Sequence, residues 1–330
     1  MKKSVAVESS AYLPKKTSLF KEFKRHYALL IMLIPGVIAL LLFAYKPMYG
    51  LLIAFKDYKF KLGIWGSPWA DQNGMAHFIR MFSGGDFIKV LRNTVVISFL
   101  KLICGFPAPI ILALLLNEMR GKVYKRIVQT LTYLPHFFSW VVLGGILKMV
   151  FATVGPINMV LQTLGLNEPI PFFGNNTAFL WLIVGTAVWQ GLGWGAIIYM
   201  AALSGVDESL YEAAYIDGAS RWKQVWHISL PTIMGTVTTV FIMNLGQVLN
   251  AGFDQIYNMY NVMVYESSVI LDTYSLRLLQ DGRYEIGTAL GLFKSLVGMA
   301  FVLGSNWIFQ LKTYCFGKKD SCWSTVWLSE

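Results

Sequence analysis

Apolar residues are concentrated in six long stretches, separated by shorter polar segments. Each stretch is close to the roughly 20 residues that a helix needs to cross a bilayer. We expect all six to be helical, because hydrocarbon offers no partner for backbone N–H and C=O groups. Pro107, Pro109 and Pro135 predict kinks in the second and third stretches. The predicted spans are Tyr27–Tyr45, Asn93–Leu116, Ile127–Met149, Thr177–Leu203, Thr232–Ala251 and Ile286–Leu311.

Composition supports a membrane protein. Of the 330 residues, 55% are hydrophobic and 14% are charged, whereas a soluble domain carries about 25% charged residues. No charged residue occurs between Glu168 and Asp207. The first apolar run is longer than the core of a signal peptide and lacks a small-residue cleavage site, so we expect it to be retained. These features predict an all-α, polytopic membrane protein with a transmembrane domain over residues 27–311.

The distribution of Lys and Arg predicts the orientation. Basic residues cluster in the leader (residues 1–26), in the loops after the second and fourth spans and in the tail (residues 312–330). The loop at residues 152–176 has no Lys or Arg. By the positive-inside rule, both termini face the cytoplasm. The basic but long loop at residues 46–92 is placed outside, with "GIWGSPW" as an interfacial aromatic segment. The net charge of +10 then reflects this bias and attraction to lipid, not nucleic acid.

Cysteine and histidine residues indicate neither a disulfide framework nor a metal site. Cys104, Cys315 and Cys322 form no CxxC pair, and an odd, sparse set is typical of packed or idle thiols. His136 and His227 have no second ligand at metal-binding spacing. We therefore expect no metal and no cofactor bound by this chain.

The polar segment at residues 204–231 has more internal pattern than a plain connector. Ser209 and Glu212 have the spacing of a capping box, which predicts the start of a helix. Small side chains at 213 and 214 would let another surface approach closely, and Gly218 permits a turn that a Cβ would resist. We expect a second short helix over Ser220–Ile228, with Pro231 in the first turn of the fifth span.

This segment resembles the EAA loop of ABC importer permeases. The similarity is carried by Glu212-Ala213-Ala214, then Gly218, Ile228 and Leu230-Pro231. "YIDGAS", which includes Asp217, resembles the carbohydrate-uptake branch, and "PMYGLLIAFKDYKF" resembles polysaccharide and oligosaccharide permeases of Gram-positive bacteria. The resemblance covers about residues 27 to 309 and implies the six-helix type I importer permease fold. Gly235, where the family often has Pro, and the unusual tail depart from the pattern.

The resemblance also implies a division of labour among subunits. The loop at 204–231 would sit in a cleft of a cytoplasmic ABC ATPase, which would hold ATP and Mg. This chain has no G-x-x-x-x-G-K-[ST] stretch, so the motor must be a separate chain. Two ATPase subunits, a second homologous permease and an extracellular solute-binding lipoprotein are the implied partners, in a bacterial cell membrane. The implied substrate is an oligosaccharide.

Polar residues inside the spans are candidates for the substrate path. Such residues are costly in lipid and tend to face the bundle interior or a wet cavity. Amides and carboxylates suit sugar hydroxyls, and flat aromatic faces suit sugar rings. Alternatively, amides tie helices together and tryptophans pack or anchor at an interface. The candidates are a predicted helical stripe on span five (Asn244, Gln247, Asn250 or Ala251, Asp254) and, on span four, Trp189, Gln190 and Trp194.

Three lysines lie in or beside spans. Lys148 is near a span end, from which its amine can snorkel to the interface. Lys101 and Lys294 have two interpretations: they pair internally, which is the commoner solution, or they face an anionic substrate such as a uronic-acid oligosaccharide.

Rival functions remain open at this point. A gradient-driven secondary transporter would need an intramembrane acid, and Asp254 is the one plausible example. An ABC permease for another solute is a second alternative. A membrane enzyme would need acidic or His clusters at span ends, which the sequence lacks.

Overall fold

The computed structural model describes residues 27–317, without the side chains of residue 28 and residues 308–317. The predicted leader and residues 318–330 of the predicted tail lie outside the described residues. The described residues fall into two units, residues 27–52 and residues 53–317. Within the described residues the structure is helical, and the pairing of Lys56 with Trp69 is an isolated bridge outside any strand.

Seventeen α-helices are described between residues 27 and 317. In chain order they are α1 Tyr27–Leu40, α2 Lys46–Met48, α3 Gly63–Gly66, α4 Ala76–Ser83, α5 Gly85–Gly105, α6 Pro107–Glu118, α7 Lys122–Tyr133, α8 Trp140–Val150, α9 Pro156–Thr163, α10 Asn176–Leu203, α11 Glu208–Ile216, α12 Arg221–Gln224, α13 Leu230–Gly246, α14 Phe253–Met259, α15 Tyr265–Ser268, α16 Leu271–Gln280 and α17 Tyr284–Gly317. Short 3₁₀ segments are Tyr49–Phe55, Leu134–Phe137, Val248–Asn250 and Val262–Val264, and π-helical turns are Leu41–Tyr45 and Val225–Ser229.

Five helices are long and apolar enough to cross a membrane, and a bent pair makes a possible sixth. The second span begins at Gly85, earlier than the predicted Asn93. Its first turns contain the charged residues Asp86, Lys89 and Arg92, so hydropathy alone did not include them in the span. The five are Leu29–Phe55, Gly85–Glu118, Asn176–Leu203, Arg221–Gly246 and Tyr284–Trp307.

The predicted third span, Ile127–Met149, is not one continuous helix. Lys122–Phe137 and Trp140–Val150 meet at a bend of 104°. Pro135 cannot continue the backbone hydrogen bonding of a helix. After the extended residue Phe138, Ser139 caps the next helix by accepting from the Val142 N–H at 3.4 Å. The predicted kink is therefore a sharp break.

The long helix α10 lies at the centre of the second unit. It packs against α5, α6, α7 and α13. Buried residues form three clusters: around Phe87 and Leu290, around Phe179 and Ile256, and around Tyr199 and Ile233. The second cluster fixes α14 against α10, and this contact positions the polar groups described below.

The loop at residues 152–176 is held by one buried amide. Asn158 is 1% exposed. Its amide N–H groups donate to the carbonyls of Ala152 (3.0 Å) and Ile170 (2.9 Å), and its oxygen accepts from the Ile170 N–H at 2.8 Å. Asn158 itself lies in α9, so these hydrogen bonds tie that helix to the chain before it and after it.

Candidate functional site

The fifth span is interrupted near the middle of the predicted stripe. Helix α13 ends at Gly246, a 3₁₀ turn follows, and α14 starts at Phe253. Between the helices, Ala251 (φ +32°) and Gly252 (φ +83°) are both left-handed. Two successive left-handed residues redirect the chain, so the prediction of one helical stripe is wrong beyond Gln247. We call residues 247–252 the break.

The break lines one cavity that contains several polar groups, and a second cavity adjoins the first. The first, of about 320 Å³, is lined by Ser98, Lys101, Asn244, Gln247, Asn250 and Gly252, among others. The second, of about 360 Å³, shares Lys101 and Asn244 with the first and extends along α10 past Gly191. The structure thus brings Asn244, Gln247 and Asn250 to one cavity. Asp254 is exposed on α14 and lines neither cavity.

Lys101 projects from α5 to the break. Its Nζ donates to the Ala251 carbonyl at 2.7 Å and to Gln255 Oε1 at 2.5 Å. Gln255 is 1% exposed, and its own Nε2 donates to the Ile183 carbonyl and to Thr186 Oγ1, each at 2.8 Å. Because α10 takes both amide N–H groups, the Gln255 oxygen is directed at Lys101. Lys101 therefore has two internal hydrogen-bond acceptors, and both are neutral.

Lys294 holds the break through a carboxylate. Its Nζ donates to both oxygens of Asp272, at 2.6 and 2.7 Å, and to Asn250 Oδ1 at 2.9 Å. Asn250 in turn donates to Gln247 Oε1 at 3.0 Å. A chain of polar contacts thus runs from α16 through α17 to the cavity. Lys294 therefore pairs internally with Asp272, which is the first of the two interpretations that the sequence left open.

The candidates on span four lie away from these cavities. Trp194 stacks on the His136 ring, with centroids 4.5 Å apart and planes 6° apart. Trp189 is 46% exposed and Gln190 is half-buried. None of the three lines the cavities at the break. Trp194 therefore packs against the bend that follows Pro135. This position agrees better with a packing role than with a place in the substrate path.

Two members of this polar network were not anticipated from the sequence. Gln255 and Asp272 follow the fifth span, in a segment that carried no motif. Lys101 and Lys294 could have indicated that such residues exist, because a charged group inside the membrane requires a polar partner. Lys148, by contrast, is exposed in the last turn of α8, where snorkelling remains the prediction.

The segment at 204–231 begins with a helix whose cap differs from the prediction. Asp207, not Ser209, is the N-cap of α11, and its side chain accepts from the Ser209 N–H at 3.0 Å. The capping box of Ser209 and Glu212 is therefore wrong, because the helix starts before Ser209. The Ser209 N–H stabilises the carboxylate and holds the pKa of Asp207 below its ordinary value.

Gly218 ends α11 in the predicted turn. Its φ is +73°, in the left-handed region. The Asp217 N–H returns to the Ala213 carbonyl at 3.0 Å and the Ala219 N–H to Ala214 at 2.9 Å, which closes the helix end. Glu212, Ala213 and Asp217 are exposed.

The predicted second helix, Ser220–Ile228, is not separate from the fifth span. The helix is continuous over Arg221–Gly246. In its π-helical turn, Val225–Ser229, the Leu230 N–H donates to the Val225 carbonyl five residues earlier. This wider turn accommodates Pro231, which has no N–H and would clash in a regular helix interior. Ile228 and Leu230 are half-buried and Pro231 is exposed.

Few contacts hold α11 to the rest of the unit. The hydroxyl of Tyr211, on α11, lies 2.8 Å from the hydroxyl of Ser229. The nearby ion pair of Arg221 with Glu118, at 3.6 Å, joins α12 to α6 and does not involve α11. No residue of α11 is buried. Tyr215 is 79% exposed and Ile216 84% exposed. The end of α11 therefore presents two adjacent large side chains, one aromatic and one aliphatic, almost fully to its surroundings.

These features define a class of protein: a helical membrane transport subunit, with a polar cavity at a broken span and an exposed apolar loop helix. Residues 105–309 match the family described as "Binding-protein-dependent transport system inner membrane component", and the chain belongs to that family. The predicted all-α permease fold and the predicted membership of the ABC importer permeases are confirmed. The chain is a membrane-spanning transport subunit, not the ATPase of the system.

Similar proteins cover almost the whole chain. Protein LplB of Bacillus subtilis (strain 168) is 44% identical over 297 residues, 89% of this chain and 92% of LplB. The polygalacturonan/rhamnogalacturonan transport system permease protein YteP of the same organism is 43% identical, over 88% of this chain and 90% of YteP. A chain in the crystal structure of a bacterial ABC transporter that imports the acidic polysaccharide alginate has a TM-score of 0.80 and 37% identity, covering 88% of this chain and 97% of that chain.

Proposed function

We propose that this chain forms half of the translocation path of an ATP-driven importer for acidic oligosaccharides released from polysaccharides. A second, homologous permease supplies the other half. Two relatives support the substrate class: one is named for polygalacturonan and rhamnogalacturonan, the other for the acidic polysaccharide alginate. The amides of Asn244, Gln247 and Asn250 at the cavity have the chemistry that sugar hydroxyls need.

The observation that carries the coupling proposal is the exposed surface of α11. Tyr215 and Ile216 extend almost fully into the surroundings. We infer that a cleft in a cytoplasmic ABC ATPase covers them and holds the loop at 204–231. The ATPase binds ATP and Mg, and closure of two such subunits moves the two permeases between inward-open and outward-open forms.

The remaining partners follow from the same proposal. An extracellular lipoprotein delivers the oligosaccharide. A solved complex in which an alginate transporter holds a pentasaccharide-bound periplasmic protein supports this partner. The chain lies in the bacterial cell membrane with both termini in the cytoplasm, an orientation supported by its basic loops.

A gradient-driven transporter is the rival function. It would use Asp254, and this side chain lies outside both cavities at the break. That placement favours the ATP-driven proposal.

Reconstitution tests the proposal. The permease pair, its ATPase and its binding lipoprotein are placed in liposomes, and uptake of trigalacturonate is measured with ATP on the ATPase side. We expect uptake to require ATP and to be lost when the Walker A lysine of the ATPase is replaced by Ala. Uptake that follows a proton or sodium gradient without ATP would contradict the proposal.

A further inference from the structure

The two lysines at the break differ in charge balance. Lys294 has the Asp272 carboxylate as its counterion. Both acceptors of Lys101, the Ala251 carbonyl and the Gln255 amide, are neutral. Of the described residues, no carboxylate lies within ion-pair distance of Lys101. An ammonium group inside a membrane protein without a counterion is costly, and such groups usually mark functional sites.

The surroundings of Lys101 are built to hold the ammonium group in place. Gln255 is locked by α10, so its oxygen has one orientation. Gly252 has a φ of +83°, in the left-handed region, and a Cβ there would lie 2.6 Å from Lys101 Nζ, so a side chain at this position would require the end of the lysine to move. An ammonium group has three N–H donors, and the two described hydrogen bonds use two of them. The third is available to the cavity that Lys101 lines.

We propose that Lys101 is the carboxylate-binding residue of the substrate path. It binds the carboxylate of a uronic-acid residue, while the amides of Asn244 and Gln247 contact the hydroxyls. A neutral sugar leaves the ammonium unbalanced, whereas an acidic sugar supplies the counterion, so Lys101 selects for acidic oligosaccharides. This inference rests on the proposed function and assigns the specificity of the same cavity.

The test uses the reconstituted importer with two probes, trigalacturonate and its fully methyl-esterified form. Lys101→Met removes the charge and leaves an unbranched side chain that is one atom shorter. We expect uptake of trigalacturonate to fall about tenfold or more, the factor for one charge-assisted hydrogen bond, with a smaller effect on the ester. Lys101→Arg should restore part of the uptake. The matched control is Lys148→Met, which removes an exposed lysine at the end of α8 and should leave uptake unchanged.

A second variant leaves Lys101 and its hydrogen bonds in place. Asn244→Asp puts a carboxylate in the cavity that Lys101 lines, so the ammonium acquires an internal counterion. We expect uptake of trigalacturonate to fall more than uptake of the methyl ester, because loss of a hydroxyl contact from Asn244 would lower the uptake of both probes equally. This variant decides the matter if Lys101→Met fails to assemble.

The outcomes separate the two proposals. If the unmodified importer does not take up trigalacturonate, the proposed function fails. If it does, but Lys101→Met or Asn244→Asp transports trigalacturonate at the unmodified rate, the carboxylate-binding role of Lys101 is wrong. An equal loss of both probes in Lys101→Met would mean that the lysine only supports the break, which also overturns the inference.

Discussion

Gly252 is the residue on which the geometry of the break depends most directly. It combines a φ of +83° with a site where a Cβ would lie 2.6 Å from Lys101 Nζ. The left-handed φ disfavours a side chain by itself, and a Cβ would in addition require the end of the Lys101 side chain to leave its present position. The break, the lysine and the glycine therefore form one arrangement.

We expect Gly252→Ala to destabilise the protein and to lower uptake. A left-handed non-glycine residue costs about 1–3 kcal/mol, and the displaced ammonium adds to this. Thermal unfolding of the solubilised importer and uptake of trigalacturonate measure the effect. The control is Gly282→Ala, since Gly282 has a φ of +76° and open space around its Cβ position. Equal stability and equal uptake in the two variants would refute the close-approach argument.

For single residues, the sequence identified the charged side chains inside the spans, but it did not identify their partners or the backbone conformation around them. Lys101 and Lys294 stand out as charges inside apolar runs, and both have specific partners. The partner Asp272 could not be recognised, because it lies 22 residues from Lys294 in a segment without periodicity. The predicted stripe extended to Asp254 because a helical period was continued through the left-handed residues Ala251 and Gly252, which the sequence does not reveal.

At the scale of elements, the pair of Asp272 and Lys294 joins α16 to α17. Both side chains are 23% exposed, and Lys294 Nζ lies 2.6 Å from Asp272 Oδ1. A half-buried ion pair with two short hydrogen bonds is stronger than one at the surface. The pair also fixes Asn250, so it links these helices to the cavity.

A double-mutant cycle tests this link. We expect Asp272→Asn and Lys294→Met each to lower the free energy of unfolding, with a coupling of about 1–2 kcal/mol in the double variant. The comparison cycle uses Arg221 and Glu118, whose atoms are 3.6 Å apart and whose side chains are 49% and 28% exposed. That coupling should be under about 1 kcal/mol. Coupling as weak in the first pair as in the second would contradict the assignment.

The elements show which parts of a membrane fold are predictable. Hydropathy found all the apolar helices, because lipid requires a helix wherever the chain is apolar for 20 residues or so. It could not show that the third span bends by 104° or that the coupling segment is continuous with the fifth span. Both depend on how Pro135 and Pro231 are accommodated, by a break in one case and by a π-helical turn in the other.

At the scale of the whole molecule, one helix connects the loop to the cavity. The helix over Arg221–Gly246 has 26 residues, and at 1.5 Å per residue it is about 39 Å long. One end follows the turn at Gly218, and the other meets the break. A displacement of the loop by a partner would therefore reach the cavity through a continuous helix, which is the physical basis of the coupling that we propose.

The apolar end of α11 gives the last prediction. Tyr215→Ser combined with Ile216→Ser should reduce co-purification of the ATPase by tenfold or more, because burial of each large side chain is worth about 1.5–3 kcal/mol. The fold should be retained, since both side chains are almost fully exposed in this chain. Val262→Ser with Met263→Ser is the matched control, as these residues are 89% and 75% exposed on a different segment. If the α11 variant still co-purifies with the ATPase, or if the control variant loses the ATPase equally, then the surface at Tyr215 and Ile216 is not the docking site. The ATPase would then have to contact another part of the loop or of the long helix.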